Sequence, residues 1–256
     1  MIILPHLETN ITTACQNRCW GCNHFVPLQV PTYANPSDIE SDLAKLATVA
    51  RAERYALVGG KPLLHPQIVD IIRTARRSGI SPVIEVITNG ILLKRMPTEF
   101  WSEIDHLLVS VYPGKLGPDM MGWVSDKCAM HEVKLQIRDV VSDPFIAPLY
   151  RQKATREQAH ARYRQCWYVT GVWYCHTLDD GYFFRCSIMP FIPEMILGLP
   201  EGTDGLPLDG ITEDKLVAYL NQKETPQSCC VCGSHDAPRQ EWHEVTRDRW
   251  LEESMV

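Results

Sequence analysis

Long apolar runs are missing from this sequence: no stretch approaches the roughly 20 residues that a helix needs to cross a bilayer, which excludes a spanning helix. Lys and Arg are nowhere concentrated, and 25 of them against 31 Asp and Glu leave a formal net charge of −6, which excludes a basic footprint for nucleic acid. Residues Met1–Asn10 contain His6 and Glu8 and lack a basic start followed by an apolar core, so no secretory signal is read and the expected compartment is the cytoplasm. Internal repeats and low-complexity segments are absent as well. Hydrophobic residues at 45% and charged residues at 22% of 256 describe an ordinary globular chain, long enough for one large domain with an appendage. Cysteine, by contrast, is plentiful. In a reducing compartment ten cysteines are poor candidates for structural disulfides, and their clustering points to metal. Seven fall into sets, Cys15, Cys19 and Cys22, then Cys166 and Cys186, then Cys229 and Cys232; Cys128, Cys175 and Cys230 are left over.

From Leu4 to about Ile137 short apolar runs alternate with amphipathic stretches, the pattern of repeated β/α units. Leu7–Ile11 reads as a first strand, and Tyr55–Val58, Val83–Ile87, Leu107–Val111 and Val133–Ile137 as the next four. One helix is expected from a capping box of Ser37 and Glu40, another between Pro66 and Gly79. Such alternation makes an α/β fold with a parallel sheet, whose chemistry sits on loops at the strand C-terminal ends. The first cysteine set, Gly59-Gly60 and Asn89-Gly90 each follow a strand. Beyond Ile137 the pattern changes: Thr155–Arg164 reads as a polar helix, Val172–Thr177 and Tyr182–Arg185 as a hairpin around Asp179-Asp180-Gly181, and Thr212–Asn221 as a short helix.

In the run from Cys15 to Cys22, three and then two residues separate the cysteines. Three thiolates on one tight loop can hold three irons of a [4Fe–4S] cube and leave the fourth iron open to a small chelating molecule. A tetrahedral zinc site would instead need a fourth ligand, for which His24 is near. The motif resembles the signature of the radical S-adenosylmethionine (radical SAM) superfamily, with the aromatic residue one place earlier than usual, at Trp20. That resemblance implies a partial (β/α)6 barrel of the TIM type over residues 1–150, a [4Fe–4S] cluster on Cys15, Cys19 and Cys22, and S-adenosylmethionine bound to it. Gly59-Gly60-Lys61-Pro62 resembles the family segment that supports the methionine amino group; the family usually has a glutamate where this chain has Lys61, so Glu85 or Glu8 is the alternative carboxylate. Thr88-Asn89-Gly90 resembles the segment approaching the ribose and methionine, and Ser110 and Arg138 stand where the family often places polar cofactor contacts.

Cys166, fourteen residues, Gly181, four residues and Cys186, followed by Cys229 and Cys232, resemble the auxiliary-cluster module called twitch, the shorter relative of the SPASM domain. A fully ligated auxiliary [4Fe–4S] cluster in a domain over residues 151–256 is implied, with Cys230 competing with Cys229 on spacing and a four-cysteine zinc ribbon as the alternative.

In the family, reductive cleavage of S-adenosylmethionine yields a 5′-deoxyadenosyl radical that takes a hydrogen from substrate. A saturated second cluster favours two-electron dehydrogenation of a small molecule, a sugar, aminocyclitol or nucleoside-like compound, with His65 or His24 as base and a reductant such as flavodoxin or ferredoxin as partner; no nucleic-acid or membrane partner is expected. Epimerisation would need a thiol donor, Cys128 or Cys175. Ribosomal-peptide modification is a third reading, disfavoured by the fourteen residues before Cys15, and a non-catalytic zinc scaffold a fourth. The loops expected around substrate are 26–32, 112–123 and 190–210, with Trp20, Trp123, Trp173 and Tyr112 as stacking candidates.

Overall fold

In the computed structural model, which describes residues 1–169, 174–233 and 236–256, apolar strands and amphipathic helices alternate from the N-terminus. β1 (Ile2–Leu4) and β2 (Leu7–Asn10) lead into a long loop and then α1 (Pro36–Leu46). After them come β3 (Ala50–Ala52), β4 (Tyr55–Val58), α2 (Ile68–Ser78), β5 (Ile84–Thr88), α3 (Thr98–Glu103), β6 (His106–Val111), α4 (Pro118–Met130) and β7 (Lys134–Asp139). The cap of α1 is Asn35, whose side chain accepts from the Ser37 N–H, and not the expected box of Ser37 and Glu40; Pro36 fits the first turn and starts the helix earlier. Gly79 closes α2 in the left-handed region at φ 63, where it costs least. Ile39, Leu43 and Leu46 of α1 and Ile71, Ile72 and Ala75 of α2 share one buried core with Leu57, Ile84, Val86, Leu107 and Val109 of the strands.

β2, β4, β5, β6 and β7 lie parallel in that order, the expected partial barrel. The sixth parallel strand does not follow β7 in space. The chain runs through β8 (Phe145–Ile146) and α5 (Arg156–Tyr163), the latter opened by a capping box of Thr155 and Gln158, and β9 (His176–Asp179) then returns beside β2. β10 (Tyr182–Phe184) folds back on β9, and later β11 (Leu206–Pro207) on β10, so the sheet has eight strands in the order β11-β10-β9-β2-β4-β5-β6-β7. Asp180 (φ 41) and Gly181 (φ 79) make the hairpin turn with two left-handed residues, the geometry that Asp-Gly favours. Of the expected strand Val172–Thr177, residues 172 and 173 lie outside the described residues, as does the stacking candidate Trp173. Part of the region beyond residue 150 is thus built into the main sheet.

α6 (Ile192–Leu197), α7 (Glu213–Leu220), β12 (Arg239–Gln240) and α8 (Arg247–Ser254) complete the chain. A second apolar core joins Trp20 and Phe25, in the loop after β2, to Ile188, Phe191, Val231 and Trp250. Among the described residues no helix is long and apolar enough to cross a membrane.

Candidate functional site

β2 delivers the chain into the loop that carries Cys15, Cys19 and Cys22, and none of the ten cysteines is joined in a disulfide. Burial pushes the Cys19 thiol up to about 12 and the Cys22 thiol up to about 11, and neighbouring sulfurs add to both. Thiols held so high ionise when a metal's charge replaces the proton. The buried Lys61 ammonium faces the same sulfurs: burial lowers its pKa, against the pull of Cys15, Cys19 and Cys22. Its place is fixed by backbone, since the Gly60 N–H donates to the Thr12 carbonyl at 2.6 Å and the Lys61 N–H to the Ala14 carbonyl at 2.7 Å. A Cβ on Gly60 would stand 2.3 Å from the Ala14 oxygen, and one on Gly59 2.4 Å from the Thr12 oxygen. These glycines are needed where two backbones touch.

A strap from the C-terminal segment closes over the loop. The Trp250 indole N–H donates to the Cys19 carbonyl (3.1 Å), the Trp20 N–H to the His243 carbonyl (3.0 Å) and the Trp20 indole to the Glu253 carbonyl (2.8 Å). The Trp242 side chain lies near the Cys19 sulfur and opposes the rise of its pKa. Tyr112 packs on Trp242 with ring centroids 5.2 Å apart. Sequence reasoning missed this strap; its one signal was two tryptophans in an otherwise polar tail.

At the end of β5, Thr88 and Asn89 are fully buried. The Thr88 hydroxyl accepts from the Gly90 N–H and the Asn89 side-chain oxygen from the Ile91 N–H, both at 3.2 Å, while the Asn89 amide nitrogen has no partner. Asn17, between Cys15 and Cys19, is 3% exposed with neither amide atom partnered. Unpaired buried amides are costly, and a polar ligand is what relieves them. Ser110 is buried on β6 opposite Arg138, which is exposed on β7 and donates to Asp143 at 2.7 Å.

Two expected carboxylates lie elsewhere. Glu85 and Glu8 are each the second residue of a strand, near the N-terminal end and away from the cysteine loop. Glu85 is held by the His106 Nδ1 (2.9 Å) and the Arg54 Nε (3.2 Å), and Glu8 accepts from the Thr177 hydroxyl (3.1 Å). Cys128 is on the buried face of α4 in the apolar core, its thiol pushed up to about 11 by burial, and Cys175 lies beside Glu8. Neither thiol lines the cavity beside the cysteine loop.

That cavity, of about 420 Å³, is walled by Gly59, Gly60 and His24 near the cysteines and by Asp179, Asp180 and Glu201 across from them. Asp38 and Glu194 complete a set of five carboxylates, and among the described residues no Lys or Arg lines it. Of the loops expected around substrate, the first and third contribute walls and 112–123 does not. Burial pushes Asp179 up to about 7, and its Asn10 hydrogen bond (3.1 Å) opposes the rise. His24 is held down at about 4 by burial and then by Lys61, so its imidazole is neutral, with Nε2 buried and unpartnered. Both ring nitrogens of His65 are engaged, one with the Ala34 carbonyl (2.8 Å), the other with the Gln67 N–H (3.1 Å).

Cys166, Cys186, Cys229 and Cys232 line a second, smaller cavity with Tyr163, Tyr168 and Met189, whereas the buried Cys230 is not among its walls. Burial and neighbouring sulfurs push Cys166 up to about 11 and raise Cys186 and Cys229, while the backbone at Ile188 and Met189 opposes the rise at Cys186. Among the described residues, three ligand atoms come within 4.8 Å of one another at His6, Glu8 and Cys175 and in neither cysteine set. A zinc ion with Zn–S bonds of about 2.3 Å would draw its sulfurs to within about 4 Å. Neither cysteine set has that spacing among the described residues, and the orphaned amides of Asn17 and Asn89 offer polar contacts for a ligand.

No family model matches the sequence. The chain is 26% identical over 149 residues to the 7-carboxy-7-deazaguanine synthase of Halobacterium salinarum, covering 54% of this chain and 57% of that protein. It is 32% identical over 94 residues to the GTP 3′,8-cyclase of Chlorobaculum tepidum, covering 36% and 28%. The matches thus span less than two thirds of either relative. In fold, the chain is similar to anSMEcpe solved with AdoMet and the Cp18Cys peptide (TM-score 0.56, 13% identity, 99% of this chain and 96% of that one). It is also similar to BtrN solved with AdoMet and 2-DOIA (TM-score 0.55, 14% identity, 86% and 83%). These partial similarities in sequence and the likeness in fold support, at the level of the superfamily, the resemblance to radical SAM proteins that the Cys15–Cys22 motif carries.

Proposed function

We propose that this chain is a radical SAM dehydrogenase that oxidises an alcohol of an amine-bearing polyol, an aminocyclitol or amino sugar. The observation that carries the reading is the cavity beside the cysteine loop, with five carboxylates, no cationic side chain and a neutral histidine in its wall. Carboxylates without counter-charges attract ammonium groups, and a neutral sugar or nucleoside gains little from them.

In this reading Cys15, Cys19 and Cys22 hold the first cluster, and Lys61 offsets the charge of the three thiolates. Asn89, Thr88, Asn17, Ser110 and Gly59-Gly60 supply polar and backbone contacts to S-adenosylmethionine, and Lys61 meets its carboxylate and not its ammonium. When bound, the cluster supplies the electron that cleaves S-adenosylmethionine and so provides a hydrogen-abstracting radical. Asp179 and its neighbours orient the substrate amines, and the unpartnered His24 Nε2 takes the hydroxyl proton as the carbonyl forms. Cys166, Cys186, Cys229 and Cys232, in a module within residues 151–256, would hold the second cluster, which would supply an acceptor for the remaining electron. Flavodoxin or ferredoxin is the reductant. Epimerisation has less support, because no cysteine lines the cavity.

Anaerobic incubation of the reconstituted protein with S-adenosylmethionine, reduced flavodoxin and a panel of aminocyclitols and amino sugars tests this. The expected products are 5′-deoxyadenosine and a ketone two hydrogens lighter than substrate. Recovery of an isomer at unchanged oxidation level, carrying solvent deuterium, would sink the dehydrogenase in favour of an epimerase.

A further inference from the structure

The N-terminal ends of the strands hold a buried polar cluster that the proposed reaction does not use. His6 precedes β2, Glu8 is its second residue and pairs in register with Thr177 of β9, and Cys175 immediately precedes β9. Across the floor of the barrel stand Arg54, before β4, Glu85 of β5 and His106 of β6. His6 and Glu8 are each 5% exposed and Glu85 is 1% exposed, while Cys175 is half-buried and leaves a way in.

Within this cluster the charges divide. Glu85 is matched by Arg54 at 3.2 Å and receives His106 at 2.9 Å. On the β2–β9 side, the Thr177 hydroxyl gives Glu8 a hydrogen bond at 3.1 Å but no charge, and the His6 Nε2 stands 3.7 Å from Glu85. The other ring nitrogen of His6 is buried with no partner. Ligand atoms of His6, Glu8 and Cys175 lie within 4.8 Å of one another, a spacing that a small contraction would bring to that of a single ion. Burial pushes the Glu8 carboxyl up to about 7 and raises the Cys175 thiol, as expected of acids that a cation would relieve.

We propose that His6, Glu8 and Cys175 bind one zinc ion at the floor of the barrel, pinning the start of β9 to the start of β2. One nitrogen, one oxygen and one sulfur make a borderline-soft set that suits zinc, whereas calcium and magnesium prefer oxygen alone. Ionised Glu8 and Cys175 balance the divalent charge, as Arg54 balances Glu85, and the thiol proton leaves to solvent on binding. The benefit is topological. β9 reaches the sheet after a connection of more than thirty residues from β7, and its pairing with β2 spans Leu7–His176 to Thr9–Leu178. An ion held by both strand starts secures that register.

Zinc and iron are measured by plasma mass spectrometry on the full chain, purified and reconstituted without oxygen, then dialysed against zinc sulfate. X-ray absorption at the zinc edge reads the ligands. About one zinc per chain with a shell of one sulfur and the rest nitrogen or oxygen is expected, and Glu8→Gln and Cys175→Ser should each lose the zinc and keep the iron. Gln at position 8 keeps its size and its acceptor for Thr177, so this variant retains the fold. A wild-type chain that takes up no zinc, or a zinc shell of four sulfurs, overturns the proposal. Iron lost in place of zinc in Cys175→Ser would overturn it too, by making that thiol a ligand of the cluster beside Cys186.

Discussion

Replacing Gly60 by alanine tests how the cysteine loop is held. The added Cβ would meet the Ala14 carbonyl oxygen at 2.3 Å, so the strand end and the loop must part by about 1 Å to reach ordinary contact. That displacement carries the 2.6 Å bond from Gly60 to Thr12 and the 2.7 Å bond from Lys61 to Ala14 beyond 3.5 Å. Two buried backbone hydrogen bonds are lost, each costing about 1–3 kcal/mol when its groups stay dry, so roughly 3–5 kcal/mol in all. A domain with about 5–15 kcal/mol of stability survives the loss with a looser loop and a misplaced Lys61. Urea titration of the metal-free chain reads the stability, and iron per chain after reconstitution reads the loop. Gly79→Ala is the control: it adds a Cβ in a left-handed position with open space around it and should cost about 1 kcal/mol without touching iron. A Gly60→Ala chain with wild-type stability and full iron would refute the close approach of the two backbones.

On the proposed reading of two four-iron clusters, Cys229→Ser should lower iron from about eight to about four per chain, while Cys230→Ser should leave iron unchanged, because Cys229 and not Cys230 lines the cavity with Cys166, Cys186 and Cys232. Trp250→Ala should lower stability by about 3–5 kcal/mol and release the Cys19 carbonyl; Trp250→Phe, keeping most of the packing, should cost about 1 kcal/mol, both read by urea midpoint. Asp179 is raised from 3.8 to about 7, so the folded chain holds a proton that the unfolded chain has released; this contribution is full below about pH 4 and is lost as pH rises toward 7. Asp179→Asn should therefore gain melting temperature relative to wild type between about pH 5.5 and pH 8, and a difference constant with pH would count against a raised carboxyl.

Much of the barrel was legible because helix and strand periods are local. Tyr55–Val58 coincides with β4, and the other four strands read from the barrel differ from their observed ends by one or two residues at most. The helix cap was misread because Asn35 and Ser37 are both good caps, and Pro36 between them decides the choice. The return of β9 beside β2 was not legible: strand order depends on the path of a long connection, which no residue pattern encodes. Glu85 was misplaced for a related reason, since a residue's strand can be read more securely than its height within it, and here the height puts it at the floor. The cysteine sets could be grouped by spacing, but that Cys229 and not Cys230 lines the second cavity depends on side-chain direction, which spacing does not encode. The Trp242–Trp250 strap acts through contacts distant in sequence and belongs to no motif, and the burial of Asn17, inside the cysteine motif, shows only in three dimensions.

The most direct test is electron paramagnetic resonance of the reduced first cluster in a Cys166→Ala/Cys186→Ala chain, recorded with and without S-adenosylmethionine. A four-iron signal that changes shape when the molecule is added is expected of three cysteine ligands with one iron open to a chelate. A signal indifferent to S-adenosylmethionine, or a chain that holds zinc and no iron on Cys15, Cys19 and Cys22, would contradict it.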